Sequence, residues 1–152
     1  RDYIAHFTPG PPTKTSRILG AVLGAAIGDA MGHPTEFCSM EQIRSKFGPD
    51  GVKGFELYWN RDGQRFAPYT DDTQMAEVVL RALVESTGAG SGLDATMKLM
   101  ASGFAEWNVN PQGGHRAPGN ACLRGAGRLA RGVPWSEAGG PKDGGCGSVM
   151  RA

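Results

Sequence analysis

The strongest pattern of apolar and polar positions in the chain lies between residues 70 and 88. Apolar side chains recur there at intervals of three and four residues, which places them on one face of a helix, and charged side chains fall on the other face. The apolar face contains Met75, Val78, Val79, Ala82 and Leu83, and the charged face contains Glu77, Arg81 and Glu85. The pattern predicts an amphipathic helix that begins at Thr70 and ends in the glycine-rich stretch 88–92.

Other segments also predict helices, joined by loops. Helices are predicted over residues 17–31, with Ser16 as the N-cap, and over residues 40–47, 93–107 and 120–130. A short helical turn is predicted over residues 133–138, and a further helix from residue 148. Residues 1–15 read as an extended leader, and residues 48–68, 108–119 and 139–147 as loops, the first of them irregular rather than built of strands. Because no segment alternates convincingly between apolar and polar positions, the predicted fold class is all-α.

Glycine recurs at every fourth position of the first predicted helix, at Gly20, Gly24, Gly28 and Gly32. Each interior glycine costs a helix about 1 kcal/mol relative to alanine, so such a row is favoured where another backbone or a ligand lies against it. We therefore expect this helix to be buried and closely packed. Membrane helix pairs use the same spacing, but the uncharged apolar stretch 18–28 is well short of the roughly 20 residues that a membrane span needs.

Composition narrows the choice of partner and compartment. The 152 residues fit one domain, and 16 Lys and Arg against 15 Asp and Glu give a net charge of +1, which carries no strong nucleic-acid signal and does not favour an anionic membrane surface. Cys38, Cys122 and Cys146 are widely spaced, which argues against a disulfide framework and against a zinc site. A cytoplasmic location is expected on this ground.

Thr70, Asp71 and Asp72 place a hydroxyl and two adjacent carboxylates at the start of the clearest predicted helix. One interpretation is an ordinary helix start, with Thr70 as the N-cap and two acids near the positive end of the helix dipole. The other is a site for a hard cation, which would relieve the repulsion between the two carboxylates. Three consecutive residues supply only part of a six-oxygen shell, and Asp29 and Glu36 are candidates for further ligands. Taken alone, each of these two acids also fits a capping or surface role.

The glycine-dense segment 139–148 precedes the last predicted helix, so its backbone N–H groups could cradle a phosphate. It lacks the ending of a P-loop and contains no dinucleotide-binding glycine pattern after a strand. A flexible connection is the other interpretation of this segment.

Four sequence motifs occur in order along the chain. They are LGAVLGAAIGDAMG at residues 19–32, PTEF at 34–37, YTDDTQM at 69–75 and GCGSVMR at 145–151. Any one of them would be a weak signal, but their combination in this order resembles the ADP-ribosylglycohydrolase family.

The resemblance implies an all-α orthogonal helical bundle that holds two Mg²⁺ ions, or Mn²⁺ in some members. It implies an enzyme that removes ADP-ribose from modified proteins or from small ADP-ribose conjugates. Thr70, Asp71 and Asp72 would ligate metal, and Glu36 would be the catalytic glutamate. The residues implied to support the site structurally are Gly28 and Asp29, and those implied to bind the ribose and diphosphate are Gly145, Cys146, Gly147 and Ser148.

The chain departs from the family pattern in its last third. The family's second acidic motif, Asp-x-Asp followed by Thr or Ser, has no counterpart, because no carboxylate side chain follows Asp143. No aromatic residue for adenine stacking occurs between Lys142 and Arg151. The resemblance covers residues 16–152 and corresponds to the N-terminal half of one domain. We therefore expect the bundle to be incomplete in this chain and the C-terminal half to be supplied as another polypeptide, most simply a separate chain.

Two other functions fit the same residues. The first is a catalytically silent relative that binds ADP-ribose or a protein partner in an immunity, regulatory or structural role. The second is a helical Mg²⁺ protein that acts on another phosphorylated ligand. An Asp-x-Asp motif downstream of this sequence would favour the enzyme, whereas a lack of response to ADP-ribose would favour the last interpretation.

Overall fold

The computed structural model describes residues 10–88, 92–145 and 147. The described elements, in chain order, are α1 (Lys14–Gly32), a short 3-10 turn (His33–Thr35), α2 (Met40–Phe47), β1 (Trp59–Arg61), β2 (Gln64–Phe66), α3 (Asp71–Gly88), α4 (Leu93–Val109) and α5 (Asn120–Ala130). The predicted all-α class is confirmed, because helices make up most of the described chain and the two strands form only a small hairpin.

The hydrophobic core lies where α3, α4 and α5 pack together. Met75, Trp107 and Ala126 are its buried members, one from each helix. Partly buried apolar side chains that pack against them are Val78, Phe104, Cys122 and Leu123. The helices α3 and α4 approach closely, because a Cβ placed on Gly103 of α4 would lie 2.7 Å from Cγ1 of Val78. Met75, Val78 and Ala82 of the apolar face predicted for α3 therefore fix it in the bundle, whereas Leu83 of the same predicted face is 43% exposed.

Three local predictions were wrong. The segment predicted as irregular contains the antiparallel hairpin, in which Trp59 faces Phe66 across a two-residue turn of Asp62 and Gly63, both at positive φ. The N-cap of α1 is Thr13 instead of Ser16, since the Thr13 hydroxyl accepts from the Ser16 backbone N–H at 3.1 Å. Residues 133–138 form hydrogen-bonded turns without a helix, and the helix predicted from residue 148 lies outside the described residues.

The prediction that α1 is buried was also wrong. Of its residues only Ala30 is buried, and its large apolar side chains are about half exposed. These side chains are Ile18, Leu19, Leu23 and Ile27. The glycine row meets no other backbone, because a Cβ added to Gly20, Gly24 or Gly28 would have nothing within 4 Å. Along Gly24, Gly28 and Gly32, α1 faces α3 across open space instead of packing against it. None of the described helices combines the length and apolarity that crossing a membrane requires.

Candidate active site

The start of α3 is capped by a carboxylate from α1. Asp29 accepts four hydrogen bonds there: from the backbone N–H of Thr70 at 2.8 Å and of Thr73 at 3.1 Å, and from their hydroxyls at 2.8 and 2.6 Å. The bonds to two backbone N–H groups of the first turn place a negative charge at the positive end of the helix dipole. Asp29 therefore fixes both the position of α3 relative to α1 and the orientation of the Thr70 side chain.

Thr70 itself is the residue that precedes the first turn of α3. Its hydroxyl donates to Asp29 and accepts from the backbone N–H of Asp72 at 3.3 Å. These contacts use the one donor and one of the two acceptor lone pairs of the hydroxyl. The ordinary helix-start interpretation is thus correct in its geometry, and it leaves an acceptor position of the hydroxyl for a further ligand.

A second anchor reaches the start of α3 from the loop between α4 and α5. The carbonyl of Arg116 accepts from the backbone N–H of Asp71 at 3.0 Å, and its guanidinium donates to the carbonyl of Tyr69 at 3.1 Å. The same guanidinium carbon lies 4.2 Å from the ring centroid of Tyr69 and 5.5 Å from that of Trp59 in β1. Arg116 is buried, and it holds the hairpin and the first turn of α3 together by cation–π contacts.

Gln74 connects the same loop to the core. Its amide nitrogen donates to the carbonyls of Gln112 at 2.9 Å and Gly114 at 3.0 Å, and its amide oxygen accepts from the indole N–H of Trp107 at 3.2 Å. The three hydrogen bonds of the Gln74 side chain therefore go to α4 and to the loop that follows it.

Negative charge is concentrated around Asp71. This side chain is buried, with 5% of its surface exposed. The pKa of the Asp71 carboxyl is raised from its ordinary 3.8 to about 6. Burial is the largest cause, the nearby carboxylates of Asp72, Asp29 and Glu36 act in the same direction, and the Asp71 backbone N–H acts against them. A cation bound among these groups would lower the pKa of Asp71, because a nearby positive charge favours the ionised carboxylate.

Glu36 follows the 3-10 turn that connects to the end of α1. Its carboxylate lies 3.2 Å from Nδ1 of His33. The next residue, Phe37, has φ of 61°, a left-handed conformation that is uncommon for a residue with a side chain, and it is 94% exposed. Tyr58 lies next to this group, with its ring centroid 5.9 Å from that of His33. Burial raises the pKa of Tyr58, and Glu36 and Asp29 raise it further, so its phenol stays neutral.

A cavity of about 780 Å³ lies between α1 and α3, and several of the residues described above line it. Its polar lining includes Asp29, His33, Glu36, Thr70 and Asp72, and its apolar lining includes Val22, Ala26 and Leu80. Gly28 lines it as well, where the absence of a side chain leaves room. The structure therefore brings the predicted Glu36, Thr70, Asp72, Gly28 and Asp29 to one cavity, and it places Asp71 against the same carboxylates although Asp71 does not line the cavity.

The oxygen atoms of Thr70, Asp71 and Asp72 are suitable ligands for a hard cation, but they make up only part of the ligand set that such a cation needs. Among the described residues, no three His, Cys, Asp or Glu side chains are grouped closely enough to hold a metal ion. Two carboxylates and a hydroxyl are nevertheless the ligand type that Mg²⁺ prefers. The pKa of Asp71 is raised first by burial and then by the neighbouring carboxylates, and a cation bound there would favour its ionised form. The residues present therefore match the chemistry of a magnesium site in the type of their ligands, while the number of grouped side chains in the described part of the chain is too small for a complete one.

Of the predicted substrate loop, the structure describes only Gly145 and Gly147. A Cβ on Gly145 would lie 4.0 Å from that of Ala121, at the start of α5, and neither Gly145 nor Gly147 lines the cavity. Cys146 and Ser148 lie outside the described residues. The role of this loop therefore stays a prediction.

The sequence did not point to His33, Tyr58, Gln74 or Arg116 as parts of the site. His33, Tyr58 and Arg116 lie outside the four sequence motifs, and Arg116 lies in a segment predicted simply as loop. The hydrogen bonds of the Gln74 side chain span 33 to 40 residues of the chain, and the bond from the Arg116 guanidinium to Tyr69 spans 47. A motif with local spacing carries no information about such contacts.

Comparison with known proteins agrees with the motifs. The family model described as ADP-ribosylglycohydrolase matches residues 10–152, which is nearly the whole chain. The uncharacterized protein YegU of Escherichia coli K12 is 42% identical over 82 residues, a match that covers 49% of this chain and 23% of YegU. An uncharacterized protein of Archaeoglobus fulgidus is 31% identical over 139 residues, which covers 89% of this chain and 40% of the relative. The chain thus spans less than half the length of these curated relatives. No solved structure gives a significant match.

Proposed function

Because the chain belongs to the ADP-ribosylglycohydrolase family, we propose that it forms part of a metal-dependent hydrolase that removes ADP-ribose from modified proteins or from small ADP-ribose conjugates. One observation carries the proposal: Glu36, Thr70 and Asp72 converge on a single cavity, and the buried Asp71 interacts with the same carboxylates. Reactions at a glycosidic bond need a proton acceptor near bound water and a means to stabilise developing charge, and this cluster offers groups for both.

Thr70, Asp71 and Asp72 would hold Mg²⁺, with two ions expected in a complete domain and Mn²⁺ as an alternative. The bound metal would supply charge stabilisation and ligand positions for ribose hydroxyls. Asp29 would hold the Thr70 hydroxyl and the first turn of α3 in place for this purpose, since it already accepts from both. Gly28 would keep the cavity wall open beside them.

Glu36 would act as the general base of the reaction. Its carboxylate accepts a proton from water, the oxygen of that water forms a bond to the anomeric carbon of ADP-ribose, and the bond from that carbon to the modified group breaks. The leaving group takes up one proton, so that the products are free ADP-ribose and the unmodified side chain or conjugate. Backbone N–H groups in the loop of Gly145, Cys146, Gly147 and Ser148 would bind the ribose and diphosphate.

We further propose that the partner of this chain is a polypeptide that corresponds to the C-terminal half of the family domain. The exposed apolar side chains of α1 support this proposal, because four large ones on a single helix are about half exposed, which is typical of a surface that another polypeptide covers. The share of the relatives' length that the chain covers leaves more than half of each relative without a counterpart in this sequence. That remaining part would also bring the missing metal ligands.

The test compares ADP-ribose release from an ADP-ribosylated protein by the chain alone and by the chain mixed with a polypeptide covering the rest of the domain. Release is expected to require Mg²⁺ and to fall at least about 100-fold in an Asp71→Asn/Asp72→Asn double variant. Asp50→Asn, which alters an exposed carboxylate paired with Lys53, is the matched control and should behave as wild type. Undiminished release by the double variant would rule out the proposed metal site.

A catalytically silent binder is the second candidate, and the incomplete metal cluster in the described residues favours it. The two functions differ in one result. A binder raises its melting temperature in ADP-ribose and Mg²⁺ yet releases no product, even with the complementary polypeptide present. If ADP-ribose causes no shift in either arrangement, a site for another phosphorylated ligand becomes the better account.

A further inference from the structure

The backbone around Glu36 is well anchored, but its side chain needs a separate constraint. The Glu36 N–H donates to the carbonyl of His33 at 3.2 Å, and the Thr35 hydroxyl donates to the carbonyl of Gly32 at 2.7 Å, so the 3-10 turn is closed. The Glu36 side chain, however, is 40% exposed and has several rotatable bonds. A glutamate with that freedom samples several rotamers, and a general base has to be held close to one of them.

His33 provides such a constraint. Its Nδ1 lies 3.2 Å from Oε2 of Glu36, and its ring, which is 21% exposed, packs at a tilt of 42° against the ring of Tyr58. An ionised carboxylate can only accept a hydrogen bond, so Nδ1 carries the hydrogen in this pair whatever the state of the other ring nitrogen. The Tyr58 ring is a second neighbour of the imidazole and contributes no charge of its own, because its phenol is neutral.

We propose that His33 is a positioning residue that holds the Glu36 carboxylate at the mouth of the cavity between α1 and α3. Both side chains line that cavity together with Thr70 and Asp72. The hydrogen bond selects one Glu36 rotamer, and the tilted contact with the Tyr58 ring limits the movement of the imidazole. The consequence for catalysis rests on the proposed function, whereas the positioning itself is a property of these side chains.

The first measurement is independent of activity. Three-bond NMR couplings report the χ1 rotamer of Glu36 in the wild-type chain and in His33→Ala, His33→Asn and His115→Ala. In His33→Asn the amide nitrogen replaces the Nδ1 donor, and His115→Ala removes a histidine that packs on Trp107 instead. The couplings should indicate one rotamer in the wild type, in His33→Asn and in His115→Ala, and rotamer averaging in His33→Ala. Unchanged couplings in His33→Ala, or averaging in His33→Asn equal to that in His33→Ala, would overturn the inference.

The second measurement is ADP-ribose release under the conditions in which the wild type is active. His33→Ala should lower kcat by about 10- to 100-fold with little change in KM, and His33→Asn should recover most of kcat. A purely structural role would instead lower the melting temperature of both variants and would not distinguish them in kcat. If the couplings change as expected while the wild type releases no ADP-ribose, the proposed function fails and the positioning of Glu36 stands.

Discussion

The carboxylate of Asp29 joins two helices through four hydrogen bonds at one point. Hydrogen bonds to a charged acceptor are stronger than those between neutral groups, and a donor left buried without a partner adds the cost of its desolvation. Thr70 and Thr73 each contribute a backbone N–H and a hydroxyl to this arrangement, so the side chain of one residue determines the geometry of the first turn of α3.

Asp29→Ala should therefore destabilise the chain much more than the loss of an exposed carboxylate. We expect the free energy of unfolding in urea to fall by about 3 kcal/mol, because two backbone donors and two hydroxyls lose their acceptor together. Asp50→Ala is the matched control, since Asp50 is 66% exposed in its pair with Lys53, and it should cost less than about 1 kcal/mol. Equal losses in the two variants would contradict the assigned role of Asp29.

Asp71 gives the metal-free chain a specific pH dependence. Its pKa in the folded state is about 6, above the ordinary value of 3.8, so between these values the folded state holds a proton that the unfolded state has released. The free energy of unfolding should therefore decrease as the pH rises from about 4 to about 6, by an amount on the order of 3 kcal/mol. Asp71→Asn should lack this decrease and be more stable than the wild type at pH 7. Urea denaturation at several pH values measures both effects, and a slope that persists in Asp71→Asn would assign it to other groups.

At the scale of elements, the contact between α3 and α4 depends on a residue without a side chain. Gly103 faces Val78 across the contact, whereas Gly20 lies in the interior of α1 with open space around it. The same substitution at the two positions should therefore have opposite effects, although both residues are helical glycines.

Gly103→Ala is expected to lower the free energy of unfolding by about 1–2 kcal/mol, because the new methyl group would meet Val78 at 2.7 Å and force the helices or the side chain to shift. Gly20→Ala should raise it by about 0.5–1 kcal/mol through better helix propensity alone. Chemical denaturation measures both. A Val78→Ala change in the Gly103→Ala background should recover part of the loss, and a fully additive double variant would show that the two residues do not meet.

The helices were predictable because their signals are local. Apolar spacing and caps located α2 to within its observed bounds, and α5 as well, whereas the ends of α1, α3 and α4 moved by one to three residues. The Asp62-Gly63 turn is a known hairpin signal, but strands of three residues are too short to show alternation, so the hairpin was missed. Its position depends on Arg116 between Trp59 and Tyr69, a contact that only the folded chain creates.

The acidic residues of the candidate site could be proposed from the sequence, whereas the contacts that hold them in place could not. Thr70, Asp71, Asp72 and Glu36 stand in short motifs, so the sequence alone was enough to propose them as candidates. Asp29 was expected to have a structural role, but its partners lie 41 and 44 residues away, and no local pattern shows that it caps α3. The exposed state of α1 was not foreseen because a glycine row indicates that a face suits close packing without saying which polypeptide supplies the other side.

At the scale of the whole molecule, the described chain divides into a packed core and a weakly supported helix. The core of α3, α4 and α5 is held by buried side chains from all three helices. The contact of α1 with α3 centres on Asp29 and the buried Ala30, near the C-terminal end of α1, while the rest of that helix exposes its apolar side chains. Stability should therefore be unequal along the chain, and the cavity lies at the boundary between the two regions.

Amide hydrogen exchange should show this inequality directly. The comparison uses only amides that are hydrogen-bonded within a helix. Their protection against exchange therefore reports the free energy needed to open each helix. Residues 21–28 of α1 should be protected at least about tenfold less than residues 75–82 of α3 and 100–107 of α4, a difference of about 1.4 kcal/mol or more. Asp29→Ala should lower the protection of α1 further, because it removes the carboxylate that binds α1 to the start of α3. The protection of α4 should fall only as far as the free energy of global unfolding falls. Binding of a polypeptide over the α1 face should raise the protection of α1 most. Equal protection of α1 and α4 in the isolated chain would mean that α1 needs no cover to be stable, and the proposed surface for the second half of the domain would lose its physical basis.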